Sequence, residues 1–193
     1  GGTGNFNVLM QVYYRYTVED YIMIFQDVRG KYMSEGVFED IRPLIPEKKT
    51  NKDTDESTDT WDTVEWIIKN VKNNNGNVGV FGVSYPGFYS TMAALSNHPA
   101  LKAVSPQAPV TDWFIGDDFH HNGAFFQMDG FAFYTGFGKP RPKPTTIGPR
   151  GFDFPSNDSY KFYLEQGTLK NLAKIMGDSI QFWKDLYAHP NLD

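Results

Sequence analysis

The chain has no cysteine, which excludes disulfide frameworks, thiolate metal sites and thiol nucleophiles together. It has no excess of positive charge either. Its 18 Lys and Arg stand against 23 Asp and Glu, a net charge of −5 at pH 7, so a polycationic surface for nucleic acid is excluded. No apolar run approaches the roughly 18 to 20 residues that a membrane-spanning helix needs, the longest strong one being Tyr21 to Phe25. No secretory leader is readable at Gly1-Gly2-Thr3-Gly4, and no repeat recurs at a fixed period. Aromatic side chains are what the sequence has in abundance, with 16 Phe, 11 Tyr and 4 Trp in 193 residues. So many rings allow a sizeable core, and rings also concentrate in ligand pockets and interfaces.

Along the chain, Tyr21 to Gln26 is short, apolar, aromatic and β-branched, and Asp27-Val28-Arg29-Gly30 closes it; it reads as a buried strand ending in a turn. The charged stretch Glu47 to Asp59 reads as a solvated loop whose acidic end favours the N-terminus of the next helix. Its segment Asp53 to Asp59 resembles the opening of a calcium loop. It lacks the glycine at the sixth position, however, and has Val64 where a closing glutamate would stand. Trp61, Val64, Ile67, Ile68 and Val71 recur at helical spacing and predict a helix from about Thr60 to Lys72. Asn73-Asn74-Asn75-Gly76 is a turn signal, after which Asn77 to Gly82 predicts a second strand. Phe88, Met92 and Leu95 mark a second helix running to about Asn97, and Leu101 to Val104 a third strand.

Strand, helix, strand, helix, strand is the α/β alternation of a parallel sheet with flanking helices, in which ligands gather at the carboxyl ends of the strands. Beyond about Pro109 the pattern changes. Trp113 to Phe137 is rich in Phe and Gly, Lys139 to Pro155 holds five prolines, and helical stretches follow between Ser159 and Tyr187. The expected division is therefore an α/β core over 1–110 and a loop and helical cap region over 111–193. The aromatic block Phe125, Phe126, Phe131, Phe133, Tyr134 and Phe137 is read as packing the cap onto the core rather than as lining the acyl pocket. Asn157-Asp158-Ser159 matches a glycosylation sequon, a pattern too frequent to assign a role.

The chemistry concentrates in Gly82-Val83-Ser84-Tyr85-Pro86-Gly87, which falls between a predicted strand and a predicted helix. A nucleophile elbow needs a sharp turn that lifts a hydroxyl above the sheet, with small residues where the backbone crowds. Gly82 and Gly87 meet that need, and Pro86 falls in the first helical turn, where a missing N–H costs little. Ser84 is then the expected nucleophile on an acyl carbon, and the Tyr85 N–H the expected donor to the developing oxyanion. Serine needs a histidine base oriented by a carboxylate. His98, in Asn97-His98-Pro99, suits a helix end, and His189 stands before Pro190. His120 and His121 follow Asp117-Asp118-Phe119, but neighbouring residues rarely converge on one ion and no second cluster accompanies them. No metal and no cofactor is assigned.

Three ordered blocks resemble the X-prolyl dipeptidyl peptidase and cocaine esterase family of α/β-hydrolases: Phe25-Gln26-Asp27-Val28-Arg29-Gly30-Lys31-Tyr32-Met33-Ser34-Glu35-Gly36, Asp59-Thr60-Trp61-Asp62-Thr63-Val64-Glu65-Trp66, and the elbow. The stretch Asp112 to Phe125 is similar more narrowly to the α-amino-acid ester hydrolases and the glutaryl-7-aminocephalosporanic acid acylases. The resemblance implies an α/β-hydrolase core with a cap insertion, and a serine hydrolase acting through an acyl-enzyme on Ser84. Its substrates would be esters or amides whose acyl group carries a free α-amino group. It implies that Asp118 belongs to the carboxylate cluster holding the substrate's α-ammonium; in a solvated loop or a helix cap the same residue would have no such role. For the second oxyanion donor, a Tyr hydroxyl from an earlier loop, Tyr13, Tyr14 and Tyr16 are left open.

By the same resemblance the catalytic Asp and His follow the cap on later core strands, so the chain is expected to be an interior piece of a larger enzyme and inactive alone. The expected partner is a small ester, amide or peptide, with no nucleic acid and no membrane. The resemblance leaves open a homo-oligomer and a periplasmic or secreted location. An X-Pro dipeptidyl peptidase is the alternative within the same chemistry. A non-catalytic binding protein with a hydrolase-like fold is the second alternative, and an intact strained elbow argues against it.

Overall fold

Asp55 fixes the first long element of the computed structural model, which describes residues 9–11, 13–112 and 118–189. Its side chain accepts from the N–H groups of Ser57 and Thr58, while the Thr58 hydroxyl accepts from the Asp55 N–H, a reciprocal capping box. The helix it opens runs Glu56–Asn70, four residues earlier than the spacing predicts. The reading of a solvated loop up to Asp59 is corrected accordingly. Asp55 is fully buried, and Glu56 to Asp59 form the first helical turn.

The chain divides into two compact units, one drawn from Arg15–Met23 and Ile41–Thr111, the other from the described residues within Gly1–Tyr14, Ile24–Asp40 and Asp112–Asp193. In chain order the elements are α1 (Tyr14–Val18), α2 (Glu56–Asn70), β1 (Val78–Val83), α3 (Tyr85–Leu95), β2 (Leu101–Gln107), β3 (His120–His121), β4 (Ala124–Phe125), α4 (Gln127–Tyr134), α5 (Ser159–Gln166), α6 (Leu169–Met176) and α7 (Gln181–Ala188).

The first unit is an α/β layer. β1 and β2 pair in parallel, with Val80 opposite Val104 and Val83 opposite Gln107, and α3 connects them and packs on both. α2 packs on α3, so Val64, Phe88, Met92 and Ala93 are buried together as its core. β2 continues past Ser105-Pro106, where the sequence reads a loop. It has one neighbour among the described residues, and at such an edge a proline costs no ladder bond. The predicted strand at Tyr21 to Gln26 does not form. Those residues have no ladder partner among the described residues, and Tyr21, Ile22, Ile24 and Phe25 stay exposed. An apolar run becomes a strand only where a neighbour offers the hydrogen bonds.

The second unit is built on rings. Phe131, on α4, is wholly buried, with Phe152, Phe162 and Trp183 centred 5.2, 6.1 and 6.2 Å away. Tyr134 is also buried, and its hydroxyl donates to Asp40 at 2.7 Å. The β3–β4 hairpin turns through Asn122 and Gly123, both at positive φ, as a two-residue turn of this hand requires. The proline-rich segment after α4 is tied back to the loop at 27–38. Arg141 donates to the carbonyls of Gly30 and Ser34, Thr145 N–H donates to the Tyr32 carbonyl at 2.9 Å, and Lys31 Nζ donates to the Phe137 carbonyl at 2.6 Å. Lys31 also lies 3.7 Å above the Phe38 ring. Burial pushes its ammonium down to about 8, against the opposing pull of Asp40.

Candidate active site

Ser84 follows β1 directly and caps α3 at φ 63°, ψ −121°. That conformation is costly for a residue with a Cβ, on the order of 1–3 kcal/mol, and persists only where the surroundings enforce it. Three backbone bonds do so. The Ser84 N–H donates to the Gln107 carbonyl of β2 at 2.9 Å, and the Ser84 carbonyl accepts from Gly87 and Phe88 at 2.8 and 3.2 Å. The flanking glycines are needed sterically. A Cβ on Gly82 would stand 2.2 Å from the Pro86 carbonyl oxygen, and one on Gly87 would stand 2.8 Å from that of Gln107. Ser84 itself is exposed and its side chain makes no cap bond, so the hydroxyl is presented at the carboxyl end of the sheet. This is the geometry a nucleophile elbow requires.

Tyr85 opens α3, so its N–H belongs to the first turn, whose donors have no acceptor within the helix. Its ring lies against Tyr89 and Phe88, with centroids 5.3 and 6.2 Å away, and its hydroxyl accepts the Ile41 N–H at 3.0 Å. That last contact joins residues 44 apart and has no sequence signature. Ser84 and Tyr85 thus stand side by side on the α/β unit. Asp118 belongs to the other unit, as an exposed turn residue just before the buried Phe119. Asp117 lies outside the described residues.

The histidines have distinct settings. His98 is buried with both ring nitrogens committed: Nδ1 accepts the Ala100 N–H at 3.0 Å and Nε2 meets Glu65 Oε1 at 3.0 Å. Its ring also packs on Trp61, 4.5 Å between centroids. Lys69 first and His98 second hold the Glu65 carboxyl below its ordinary range. This is a structural histidine closing the α3–β2 turn and does not suit a general base. His120 is buried against Phe125, His121 stacks on Phe126, and His189 caps α7. Among the described residues no group of three His, Asp or Glu could hold a metal ion.

With this geometry in hand, comparison with known proteins settles the class. The chain belongs to the X-Pro dipeptidyl-peptidase (S15) family, whose profile matches residues 7–192. Among solved structures, it is similar to an aminopeptidase from a marine sediment Thaumarchaeota archaeon, with 39% identity and a TM-score of 0.80. It is equally similar to an α-amino acid ester hydrolase, with 39% identity and a TM-score of 0.79. Each match covers 92% of this chain and 28% of the relative. The cocaine esterase of Rhodococcus sp. strain MB1 Bresler is 34% identical over 106 residues, 55% of this chain and 16% of the esterase. The parallel strands and flanking helices are accordingly part of an α/β-hydrolase core.

Proposed function

We propose that this chain carries the nucleophile of a serine hydrolase that cleaves esters or amides of acyl groups with a free α-amino group. The observation that carries the reading is the conformation of Ser84, held at positive φ between two glycines whose places no Cβ could fill. Ser84 Oγ adds to the acyl carbon, and its proton passes to a general base. The carbonyl electrons move to oxygen, where the Tyr85 N–H meets the charge. Collapse of the tetrahedral intermediate expels the alcohol or amine with a proton from the base and leaves an acyl-enzyme on Ser84, which water then hydrolyses. The base is not His98. By the family resemblance the histidine and its carboxylate lie outside residues 1–193, so the isolated chain is proposed to be silent while the whole protein is active.

The choice of acyl group rests on two of the similar enzymes. An aminopeptidase and an α-amino acid ester hydrolase both act beside an α-amino group, and each matches 92% of the chain. Asp118 is the proposed carboxylate for that ammonium, and residues 111–193 the proposed cap over it. A panel of an α-amino acid ester, a glutaryl amide and an X-Pro anilide tests the assignment on the whole protein. The α-amino acid ester is expected to be the best substrate. Asp118→Asn is expected to raise its KM about tenfold, the effect of losing one charge-assisted contact, and to leave the des-amino ester unaffected. The family's description favours a second reading, release of X-Pro dipeptides, which a preference for the anilide would establish instead.

A further inference from the structure

Ile41 sits at φ 44°, in the left-handed region that β-branched residues seldom adopt. Left to itself its backbone would return to negative φ, so a partner must hold it there. The structure supplies one in the Tyr85 hydroxyl, which accepts the Ile41 N–H at 3.0 Å. The same bond restrains Tyr85 from the far end of its side chain. Along its length the ring is flanked by Phe88 and Tyr89, and at its root the elbow bonds of the Ser84 carbonyl fix the backbone. A tyrosine held at both ends cannot swing about its Cα. The Ser84–Tyr85 peptide plane, and the direction of the Tyr85 N–H, are therefore held with it.

Resting on the reading of Ser84 as nucleophile, we infer that the Tyr85 hydroxyl and the Ile41 N–H form a positioning clamp that aims the Tyr85 N–H at the oxyanion. A hydrogen bond weakens steeply as its angle departs from linear. Mis-aiming the donor therefore matters most when charge develops on the oxygen, so the clamp acts on kcat and leaves KM alone. Tyr85 contributes here in two ways, through a backbone donor that touches the reacting oxygen and a hydroxyl that positions it.

Tyr85→Phe in the whole protein removes one oxygen and keeps both the ring and the peptide N–H. With alanine methyl ester as substrate, kcat is expected to fall about tenfold, less than the loss of an entire oxyanion donor, with KM within about twofold. Phosphonylation of Ser84 by a fluorophosphonate should slow in parallel, and its endpoint counts the competent serines, correcting for any unfolded fraction. The double variant Tyr85→Phe with Ile41→Gly should be as slow as the single, because glycine relieves the strain at residue 41 without restoring the bond that holds residue 85. Wild-type kcat in Tyr85→Phe overturns the clamp, as does a loss carried by KM, or a double variant that regains the rate. An unaltered protein that takes no label on Ser84 overturns the functional reading, and the clamp with it. Normal labelling of both proteins at one rate overturns the clamp alone.

Discussion

Glu65 and His98, 33 residues apart, meet at 3.0 Å between Oε1 and Nε2 and join α2 to the turn after α3. Because Nδ1 accepts the Ala100 N–H, the neutral ring carries its proton on Nε2 and donates it to Glu65. Truncation to His98→Ala would strand the buried Ala100 N–H and leave Lys69 to hold the Glu65 carboxylate alone. The expected cost from the unpaired N–H is about 1–3 kcal/mol of stability by denaturant unfolding. The rate of fluorophosphonate labelling per folded molecule should not change, since His98 is structural; a labelling rate that collapses with His98 would make it the base.

Strain at the elbow predicts a separation of stability from chemistry. Ser84→Gly removes the Cβ from a conformation that disfavours it and should stabilise the fold by about 1–2 kcal/mol, whereas Ser84→Ala should leave stability nearly unchanged. Both abolish labelling. Gly82→Ala should do the opposite of Ser84→Gly, since its Cβ meets the Pro86 backbone at 2.2 Å; an expected loss above about 3 kcal/mol is read from the thermal midpoint.

Asp55 couples the fold to pH. Burial would raise its carboxyl, but the Lys48 ammonium at 2.8 Å and the donors from Ile45, Ser57 and Thr58 overcome that and hold it well below the ordinary 3.8. A carboxylate depressed in the folded state stabilises fully above its unfolded pKa, and that contribution shrinks as pH falls below about 4. Asp55→Asn keeps an N-cap side chain but loses the charge-assisted contact with Lys48, and should therefore cost about 1–2 kcal/mol at pH 7. The gap to the unaltered protein should narrow steadily below pH 4 in urea titrations. A gap constant from pH 7 to pH 2 would show that the charge of Asp55 contributes nothing.

What the sequence made legible was local. The elbow is six consecutive residues between a strand and a helix, and β1 and α3 lie within about two residues of where periodicity puts them. The start of α2 is not legible because Asp55 looks like one charge in a charged run. Its burial depends on Lys48 and Ile45, which only the folded chain brings to it. Tyr21 to Gln26 has the composition of a strand but joins no sheet among the described residues. The Tyr85 hydroxyl contact with Ile41 spans 44 residues and depends on a backbone angle, which no spacing encodes.

The central claim is that Ser84 is the nucleophile, and the direct measurement is intact-mass spectrometry of the whole protein before and after a fluorophosphonate, with the labelled residue mapped. The account predicts one adduct, on Ser84, absent from Ser84→Ala. No adduct, or an adduct on another residue, would contradict it.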